Sequence, residues 1–275
     1  MLLVDPHAAE DAHHSEGAHG ADERRGSDNR AQVAFHDDPA DAEFEIERPD
    51  GTTALYKWVM QEKFRRSVSG LDSPLTRVTA LTVCGGSGMD GELLAAAGAR
   101  VITSDLSLGA ARRALERARR HGVDLNPLVA DVENLPFADR SIDLVYVHDG
   151  LHHLVAPTVG LKEMLRVSRN AVSVTEPADA VATRLAMRVG AAKAREPAGN
   201  LVARLSYQDV RRAVIESGFS RVSGGRYFLY YSHKPGPPSR ILSRTPLLQT
   251  TQALWHGLNA VAAGVGNKLA LVAQR

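Results

Sequence analysis

The residues of this chain that could do chemistry gather where short apolar runs end. A glycine cluster at 85–88 (GGSG) follows the apolar run Ala80–Cys84 and precedes a helix-like run at 91–97. Glycines allow backbone angles that other side chains forbid, and they let a ligand approach the main chain closely. The new helix adds unpaired N–H groups and the positive end of its dipole. Such a strand, turn and helix bind carboxylate, phosphate or hydroxyl groups, usually of a nucleotide.

Acidic and histidine side chains close the apolar runs that follow. They are Asp105, Asp131, His148, Asp149 and Glu176. In an open α/β sheet, ligands lie beyond the carboxyl ends of the parallel strands, so we expect these side chains to lie beside the glycine cluster. Asp105 follows Gly86 by 19 residues, the spacing at which an acid takes the ribose hydroxyls of a nucleotide.

Two classes of nucleotide ligand fit this pattern. The spacing Gly86-x-Gly88-x-x-Gly91 satisfies the dinucleotide fingerprint, which favours a nicotinamide cofactor, although that motif alone is a weak signal. Against it, Asp131 closes the third strand and is followed by the apolar stretch 135–137 (LPF). A carboxylate in that place could accept a hydrogen bond from an adenine amino group.

Strand-like and helix-like runs alternate along the middle of the chain. The sequence predicts strands over 80–84, 100–104, 125–130, 141–147 and 171–175, and helices over 91–97, 108–121, 158–167 and 178–190. This alternation predicts an α/β fold with right-handed crossovers and a buried, mostly parallel sheet. A capped helix over 206–217 and two late strands, 221–231 and 268–274, follow.

Two further segments are expected to flank the mouth of the site. The run Thr52–Ser69 begins at a threonine suited to capping and predicts an amphipathic helix. Its Tyr56 and Lys57 are candidates for ligand contact, with core packing and a solvated face as the alternatives. The insertion 234–266, a Pro-rich turn and an apolar helix, is too long for a hairpin loop. We expect it to act as a lid on the acceptor side, which favours an apolar acceptor, or to form a contact between two copies of the chain.

Charge is distributed unevenly along the chain, whose formal net charge is +1. Residues 1–50 hold 14 Asp/Glu and 4 Lys/Arg, and the remainder holds 18 Asp/Glu and 29 Lys/Arg. Residues 1–42 are acidic, rich in histidine and poor in aliphatic residues, which predicts a disordered tail. A metal-chelating histidine tract and a tail that folds back on the basic body are the alternatives.

Several classes of protein are disfavoured. Cys84 is the single cysteine, so intramolecular disulfides and CxxC metal sites are excluded. The sequence contains no basic segment interleaved with aromatic residues, so nucleic acid is not expected as a partner. The first residues lack the features of a signal peptide, and no run is long and apolar enough to span a membrane. We therefore expect a cytoplasmic protein.

From about residue 50 onward, the chain resembles the class I S-adenosylmethionine-dependent methyltransferases. The resemblance rests on VCGGSGMDG (83–91), VITSDLS (101–107), ADVENLPFADRSIDLVYVHDGLHHL (130–154), LKEMLRVS (161–168) and the late strand pair. It implies one domain over 43–275 with a Rossmann-like fold. In that fold a seven-stranded, mostly parallel sheet carries helices on both faces, and an antiparallel last strand is inserted beside the fifth.

The resemblance also implies S-adenosylmethionine as cofactor, with no metal. The glycine loop would hold the methionine part, Asp105 the ribose, and Asp131 with Val132 the adenine, while the turn after the fourth strand would cover the sulfonium. The cofactor-binding residues are then Cys84, Gly85, Gly86, Gly88, Asp105, Leu106, Asp131, Val132 and His148. One departure concerns Thr82, where the family usually has an acid. Asp90 is the residue placed to compensate.

Paired histidines after the fourth strand and an acid ending the fifth are similar to those of sugar O-methyltransferases in natural-product pathways. His152, His153 and Glu176 are therefore the catalytic candidates, since a hydroxyl acceptor must lose its proton. The alternative is that a histidine packs or caps a helix. Asp149 could bind an acceptor or cap a turn.

The predicted activity is methyl transfer from S-adenosylmethionine to a small molecule, most of all to a hydroxyl of a natural product, sugar, quinone or lipid. The alternatives are a nicotinamide-dependent oxidoreductase and a non-catalytic module that binds S-adenosylmethionine.

Overall fold

The computed structural model describes residues 29–180, 183, 203–232 and 234–275, and in these residues the strands form one seven-stranded sheet. The strands are β1 (Thr79–Val83), β2 (Arg100–Asp105), β3 (Leu125–Val129), β4 (Ile142–His148), β5 (Ser168–Pro177), β6 (Arg221–Tyr227) and β7 (Lys268–Gln274). Their order in the sheet is β3-β2-β1-β4-β5-β7-β6. Strands β1 to β5 are parallel, and β7 pairs antiparallel with both β5 and β6. The predicted fold, with its reversed last strand beside the fifth, is confirmed.

Helices occupy the connections. They are α1 (residues 29–37), α2 (Ala42–Glu47), α3 (Ala54–Val68), α4 (Met89–Ala96), α5 (Leu108–His121), α6 (Pro157–Val167), α7 (Tyr207–Glu216), α8 (Pro237–Leu242) and α9 (Leu247–Ala262). The helix predicted over 178–190 falls largely outside the described residues. Among the described helices, none is both long and apolar enough to cross a bilayer.

Side-chain caps place several helix starts. Thr53 caps α3 by accepting a hydrogen bond from Tyr56 N, and Ser107 caps α5 by accepting one from Ala110 N. Each hydroxyl thereby satisfies one of the N–H groups that a helix start leaves unpaired. Helix α5 ends at Gly122, whose φ of 65° lies in the left-handed region that glycine enters without strain.

Alternate residues of the central strands enter two separate cores. In β1, Leu81 and Val83 join a buried cluster that includes residues of α6 and α7, whereas Ala80 joins a cluster with Leu94 of α4. Because both faces are covered, the central strands read as continuous apolar runs rather than as an alternating pattern.

The N-terminal segment differs from its predicted disorder. Residues 1–28 lie outside the described part of the chain, but residues 29–37 are helical and α2 follows. Both helices lie against α5. Asp37 Oδ1 accepts hydrogen bonds from Ser107 Oγ (2.7 Å) and Gly109 N (2.9 Å), and the guanidinium of the buried Arg117 donates to Glu45 O. The predicted boundary at residue 42 is therefore wrong for residues 29–42, which fold back on the basic helix α5.

The insertion packs on α3. Ser239 Oγ lies 2.7 Å from Thr53 Oγ1, and Leu55 N donates to Ser243 Oγ (2.9 Å). Strand β6 ends at Tyr227, earlier than predicted, because side chains of α9 replace its ladder partners. Phe228 N donates to Asn259 Oδ1 (2.8 Å), and Phe228 O accepts from the indole of Trp255 (2.7 Å).

Candidate active site

A cavity of about 780 Å³ lies beyond the carboxyl ends of strands β1 to β4. Its volume falls within the range of roughly 300–1,000 Å³ found for small-molecule sites. Ten residues predicted for the site line it: Cys84, Gly85, Gly86, Asp105, Leu106, Asp131, Val132, His148, His152 and His153. The cavity brings Asp105 and Asp131 together in one cleft. Gly88 and Glu176 lie outside its lining.

The glycine loop closes against the end of β2. Gly85 N donates to Ser104 O (2.8 Å), and Gly86 N donates to Asp105 Oδ2 (2.9 Å). A Cβ on Gly85 would lie 2.2 Å from Thr103 Oγ1, so this position excludes a side chain. Gly86 has a φ of 53° and open space where a Cβ would stand. Its backbone therefore borders the cavity directly, as a cradle for a ligand requires.

Gly88 has a role in the turn rather than in the lining. It is the residue before α4 and has a φ of 81°. A Cβ on Gly88 would lie 3.0 Å from the Ala114 Cβ of α5. The third glycine thus permits the sharp entry into α4 and its close approach to α5.

Cys84 lines the cavity as a neutral thiol. Burial raises the pKa of this thiol well above its usual value, and the nearby Asp105 carboxylate raises it further. Its Cβ would lie 2.4 Å from a Cβ on Gly150, so these two loops are in close contact. A protonated, tightly packed thiol is a wall of the site and not a nucleophile.

Both acids at the strand ends are fixed by backbone groups. The Asp105 carboxylate accepts from Gly86 N and Ser107 N, both at 2.9 Å. Asp131 Oδ1 accepts from Glu133 N at 2.9 Å. An ionised carboxylate offers about four lone-pair positions, so each keeps capacity for a ligand hydroxyl or amino group.

Thr82 and Asp90 support different elements. Thr82 Oγ1 donates to Thr103 Oγ1 (2.8 Å) beneath the glycine loop. Asp90 instead accepts from His148 Nδ1 (2.8 Å) and Tyr146 OH (3.4 Å). Burial acts to raise the pKa of Asp90, but His148, together with the positive charges of Lys63 and Arg48, outweighs burial, so the pKa is lowered. The expectation that Asp90 would compensate for Thr82 at the loop is wrong, because Asp90 anchors the end of β4.

Glu176 and His152 form a buried pair at the base of the cavity. Glu176 Oε2 lies 2.7 Å from His152 Nδ1, and Glu176 Oε1 accepts from Gly150 N (2.9 Å) and Leu151 N (2.7 Å). His152 lines the cavity, whereas Glu176 is fully buried behind it. The His153 ring lies 4.1 Å from the His152 ring, centroid to centroid. The structure thus brings the three catalytic candidates together, and Glu176 is placed to orient His152 rather than to contact a ligand.

A second charged group, the lysine–aspartate cluster, consists of Lys63, Asp149, Tyr231 and Lys268. Lys63 Nζ donates to Asp149 Oδ2 (2.8 Å) and Tyr231 OH (2.9 Å), and Lys268 donates to Asp149 Oδ1. Burial acts to raise the pKa of Asp149, but the two ammonium groups hold it well below its usual value. All four residues line the cavity, which gains a polar corner with a net positive charge.

The lining residues of α3 are not those that the amphipathic pattern singled out. Tyr56 is buried in the core and Lys57 pairs with Asp50 at 2.5 Å, so neither lines the cavity, whereas Met60 and Lys63 do. The sequence did contain a signal that Lys63 lines the site. It shares the spacing of the buried face, and a lysine on such a face must find a counter-charge.

The N-terminal segment supplies a wall of the cavity that we expected from the insertion 234–266. His36 and Arg48 line the cavity, together with Arg113 of α5, whereas of the insertion 234–266 the cavity lining contains Lys234 alone among the described residues. Burial lowers the pKa of His36, and His153 lowers it further, against the opposing effect of Asp105. Residues 29–48 therefore cover the cavity more than the predicted lid does.

Asp149, His152 and Glu176 also place ligand-type atoms within 4.8 Å of one another. However, Asp149 accepts from two ammonium groups, which repel a cation, and Glu176 accepts from two backbone N–H groups. This donor set suits proton transfer and hydrogen bonding better than a metal ion.

Comparison with known proteins agrees with this geometry. The methyltransferase domain family Methyltransf_11 matches residues 81–173. The demethylmenaquinone methyltransferase of Paenarthrobacter aurescens (strain TC1) is 31% identical over 143 residues, which are 51% of this chain and 55% of the relative. The enzyme of the same name from Renibacterium salmoninarum is 32% identical over 143 residues, 51% of this chain and 59% of the relative. The chain thus spans little more than half the length of these relatives.

Solved structures share the fold. The magnesium protoporphyrin IX methyltransferase of Synechocystis PCC 6803, with bound SAH, has a TM-score of 0.61 at 16% identity and covers 90% of this chain and 99% of its own. The YcgJ protein of Bacillus subtilis has a TM-score of 0.56 at 14% identity, covering 78% of this chain and 98% of its own.

The chain thus matches a methyltransferase domain over residues 81–173 and shares the fold of class I S-adenosylmethionine-dependent methyltransferases, one of which holds SAH. A nicotinamide-binding domain would continue beyond β5 with parallel strands, whereas β7 here is antiparallel. The GxGxxG spacing at 86–91 is therefore not a sign of a dinucleotide.

The lysine–aspartate cluster leads to a prediction about stability. Asp149→Asn leaves two buried lysines without their counter-charge, and we expect the free energy of unfolding to fall by about 3–5 kcal/mol. Asparagine tolerates the left-handed φ of 53° at this position, so the loss reports charge rather than backbone strain. Urea unfolding at pH 7 measures the change. Asp139→Asn, at an exposed ion pair with Arg166, is the control and should change stability by about 1 kcal/mol or less.

The same variant has a defined pH dependence. Because the folded-state pKa of Asp149 is lowered, its stabilising contribution is complete above the unfolded-state pKa of about 3.9 and is lost as the pH falls through the folded-state value. The stability difference between wild type and Asp149→Asn should therefore shrink below about pH 4. A difference that stays constant from pH 7 to pH 3 would contradict the assignment.

Proposed function

We propose that this protein transfers the methyl group of S-adenosylmethionine to a small hydroxylated molecule bound in the cavity, and that His152 takes the hydroxyl proton. The observation that carries the proposal is the His152–Glu176 pair, because its His152 borders the same cavity as Asp105 and Asp131. A general base and a nucleotide site in one cleft are what methylation of a hydroxyl needs.

We propose that the cofactor lies along the glycine loop. Asp105 would hold the ribose, Asp131 and Val132 the adenine, and Leu106 and His148 the neighbouring walls. The open backbone at Gly86 and the acceptor capacity of the two carboxylates support this placement. When bound, S-adenosylmethionine supplies a methyl group on a sulfonium leaving group.

Glu176 would prepare His152 for its task. By accepting a hydrogen bond from Nδ1–H, the carboxylate selects the tautomer in which Nε2 can receive a proton, and it stabilises the imidazolium that then forms. The two backbone N–H groups on Oε1 keep the carboxylate in place. His153, stacked beside His152, is the second candidate for contact with the acceptor.

The lysine–aspartate cluster would orient the acceptor. Ammonium and phenol groups donate to an oxygen atom and stabilise it as it loses its proton. The cavity also has apolar walls, among them Val33, Phe35, Met60 and Leu154. A ring with hydroxyl groups matches both features, and the relatives are named for demethylmenaquinone. We therefore propose a quinol-type acceptor.

Removal of a ring hydroxyl proton activates the oxygen and also the neighbouring ring carbon. We propose the oxygen as the atom methylated. We further propose a cytoplasmic location, which suits the single, free thiol of Cys84, and no nucleic-acid partner.

An acceptor assay tests the proposal directly. The full chain is incubated with labelled S-adenosylmethionine and a set of acceptors: hydroquinones, their di-O-methyl ethers, monosaccharides and short DNA. We expect label in hydroquinone products only, on oxygen by mass spectrometry and NMR. Label on carbon would show that a ring carbon is the atom methylated, and it would leave the role of His152 as the base unchanged. No product from any acceptor, with SAH still bound, would indicate a non-catalytic module.

Cofactor affinity tests the assignment of Asp105. Asp105→Ala removes a carboxylate that would take two hydroxyl hydrogen bonds, so the Kd for SAH should rise about 10- to 100-fold. Isothermal titration calorimetry measures it. Asp124→Ala, at an exposed acid nearby in sequence, is the control and should leave the Kd unchanged. An unchanged Kd in Asp105→Ala would remove the ribose assignment, and binding of NAD by the wild type would restore the oxidoreductase alternative.

Turnover separates base from positioning residue. His152→Ala should lower kcat about 10²- to 10⁴-fold with the Kd for SAH unchanged, and His153→Ala should lower kcat less. Glu176→Gln removes the charge that stabilises the His152 imidazolium, so the acidic limb of the pH–rate profile should move to lower pH. If neither histidine variant slows the reaction, positioning of the substrates alone accounts for the rate.

A further inference from the structure

Helix α9 carries an exposed apolar stripe, which we define as Leu247, Leu254, Leu258 and Val261. At 3.6 residues per turn these four side chains fall within an arc of about 60°. Leu254 is 70% exposed and Val261 is 87% exposed, and the other two are also exposed. Exposed Ile241 of α8 and Val265, just after α9, add to the apolar surface of the insertion.

The helix is anchored by its other side. Trp255 donates to Phe228 O and stacks edge-on against Trp58 of α3, with ring centroids 5.3 Å apart. Asn259, the buried residue of the helix, accepts from Phe228 N. These contacts hold the stripe toward solvent. None of its four residues lines the cavity, so the apolar face does not serve the acceptor from within.

The chain segment that carries the stripe has charged side chains of one sign. Residues 217–275 contain seven Lys/Arg and no Asp or Glu. Arg240 and Arg244 are exposed in the stretch that leads into α9, and Lys234 lies at the beginning of the insertion and borders the cavity. Helix α9 itself has no charged residue other than the titratable His256. The segment that carries the apolar stripe thus has exposed basic groups and no acid of its own.

We propose that this face, the stripe with Arg240 and Arg244, docks the protein on an anionic lipid bilayer. Apolar side chains of an interfacial helix enter the boundary between head groups and acyl chains, and each nearby basic residue gains from anionic lipid. A two-fold contact between copies of the chain is the main competitor. It would place the basic flanks of both copies on one shared surface, where like charges repel. The inference goes beyond the proposed function and does not depend on the acceptor.

Vesicle sedimentation tests the proposal without cofactor or acceptor. The full chain is mixed with vesicles of phosphatidylcholine alone, or with vesicles that also contain about 30% phosphatidylglycerol and so present an anionic surface. We expect the bound fraction to be larger with phosphatidylglycerol and to fall as salt is raised, because exposed charges are screened. Leu254→Ser/Val261→Ser should weaken binding at least tenfold, and Arg240→Gln/Arg244→Gln should reduce it to the level on phosphatidylcholine alone. Leu115→Ser/Ile215→Ser, at exposed apolar sites on α5 and α7, is the matched control and should bind as the wild type does.

A local readout places the contact. Trp58→Phe leaves Trp255 as the single tryptophan, and brominated lipids should quench its fluorescence if α9 meets the bilayer. Absence of binding to either vesicle at low salt overturns the proposal, and so does equal loss in the control variant. A dimer in sedimentation velocity that Leu254→Ser/Val261→Ser disperses would show instead that a second copy covers the stripe, which also overturns it.

Discussion

The carboxylate of Asp149 joins three parts of the chain that are far apart in sequence. It lies at a left-handed turn just after β4 and accepts from Lys63 of α3 and from Lys268 at the start of β7. A buried carboxylate without partners is costly, and so is each buried ammonium. The three charges therefore require one another. Their meeting fixes α3 and the antiparallel last strand against the same end of the sheet, where the cavity is.

Other carboxylates at this edge hold loops in a similar way. Asp105 accepts from the backbone of the glycine loop, Asp131 from the turn after β3, and Glu176 from Gly150 and Leu151 after β4. Each acid thereby satisfies N–H groups that a loop would otherwise leave unpaired. The same acids retain acceptor positions toward the cavity or toward His152. Loop structure and ligand chemistry at this edge thus depend on the same side chains, which explains why acids close one strand after another.

The parts of the structure that were predictable from sequence are those with a local physical signal. Apolar runs ending at Asp105 and His148, together with the capping residue Ser206, marked strands and a helix start because burial and capping act over a few residues. The fold of residues 29–47 had no such signal. Its order depends on arginines of α5 about 70 residues away, which bind Glu45 O and the Asp37 region. The early end of β6 likewise depends on Asn259, a distant side chain that replaces a ladder partner.

The acidic N-terminal residues and the basic C-terminal residues lie in different parts of the fold. Arg120 of α5 pairs with Glu43 and Glu47, so acids of the N-terminal segment are neutralised against the basic helix α5. Residues 217–275 contain no Asp or Glu, and their Arg240 and Arg244 are exposed in the segment that carries the apolar stripe. Since the insertion packs on α3 and α3 supplies Met60 and Lys63 to the cavity, this surface is connected to the acceptor side through one helix. Under the two proposals, α3 would link the face that docks on the bilayer to the lysine–aspartate cluster that receives the hydroxyl of the acceptor.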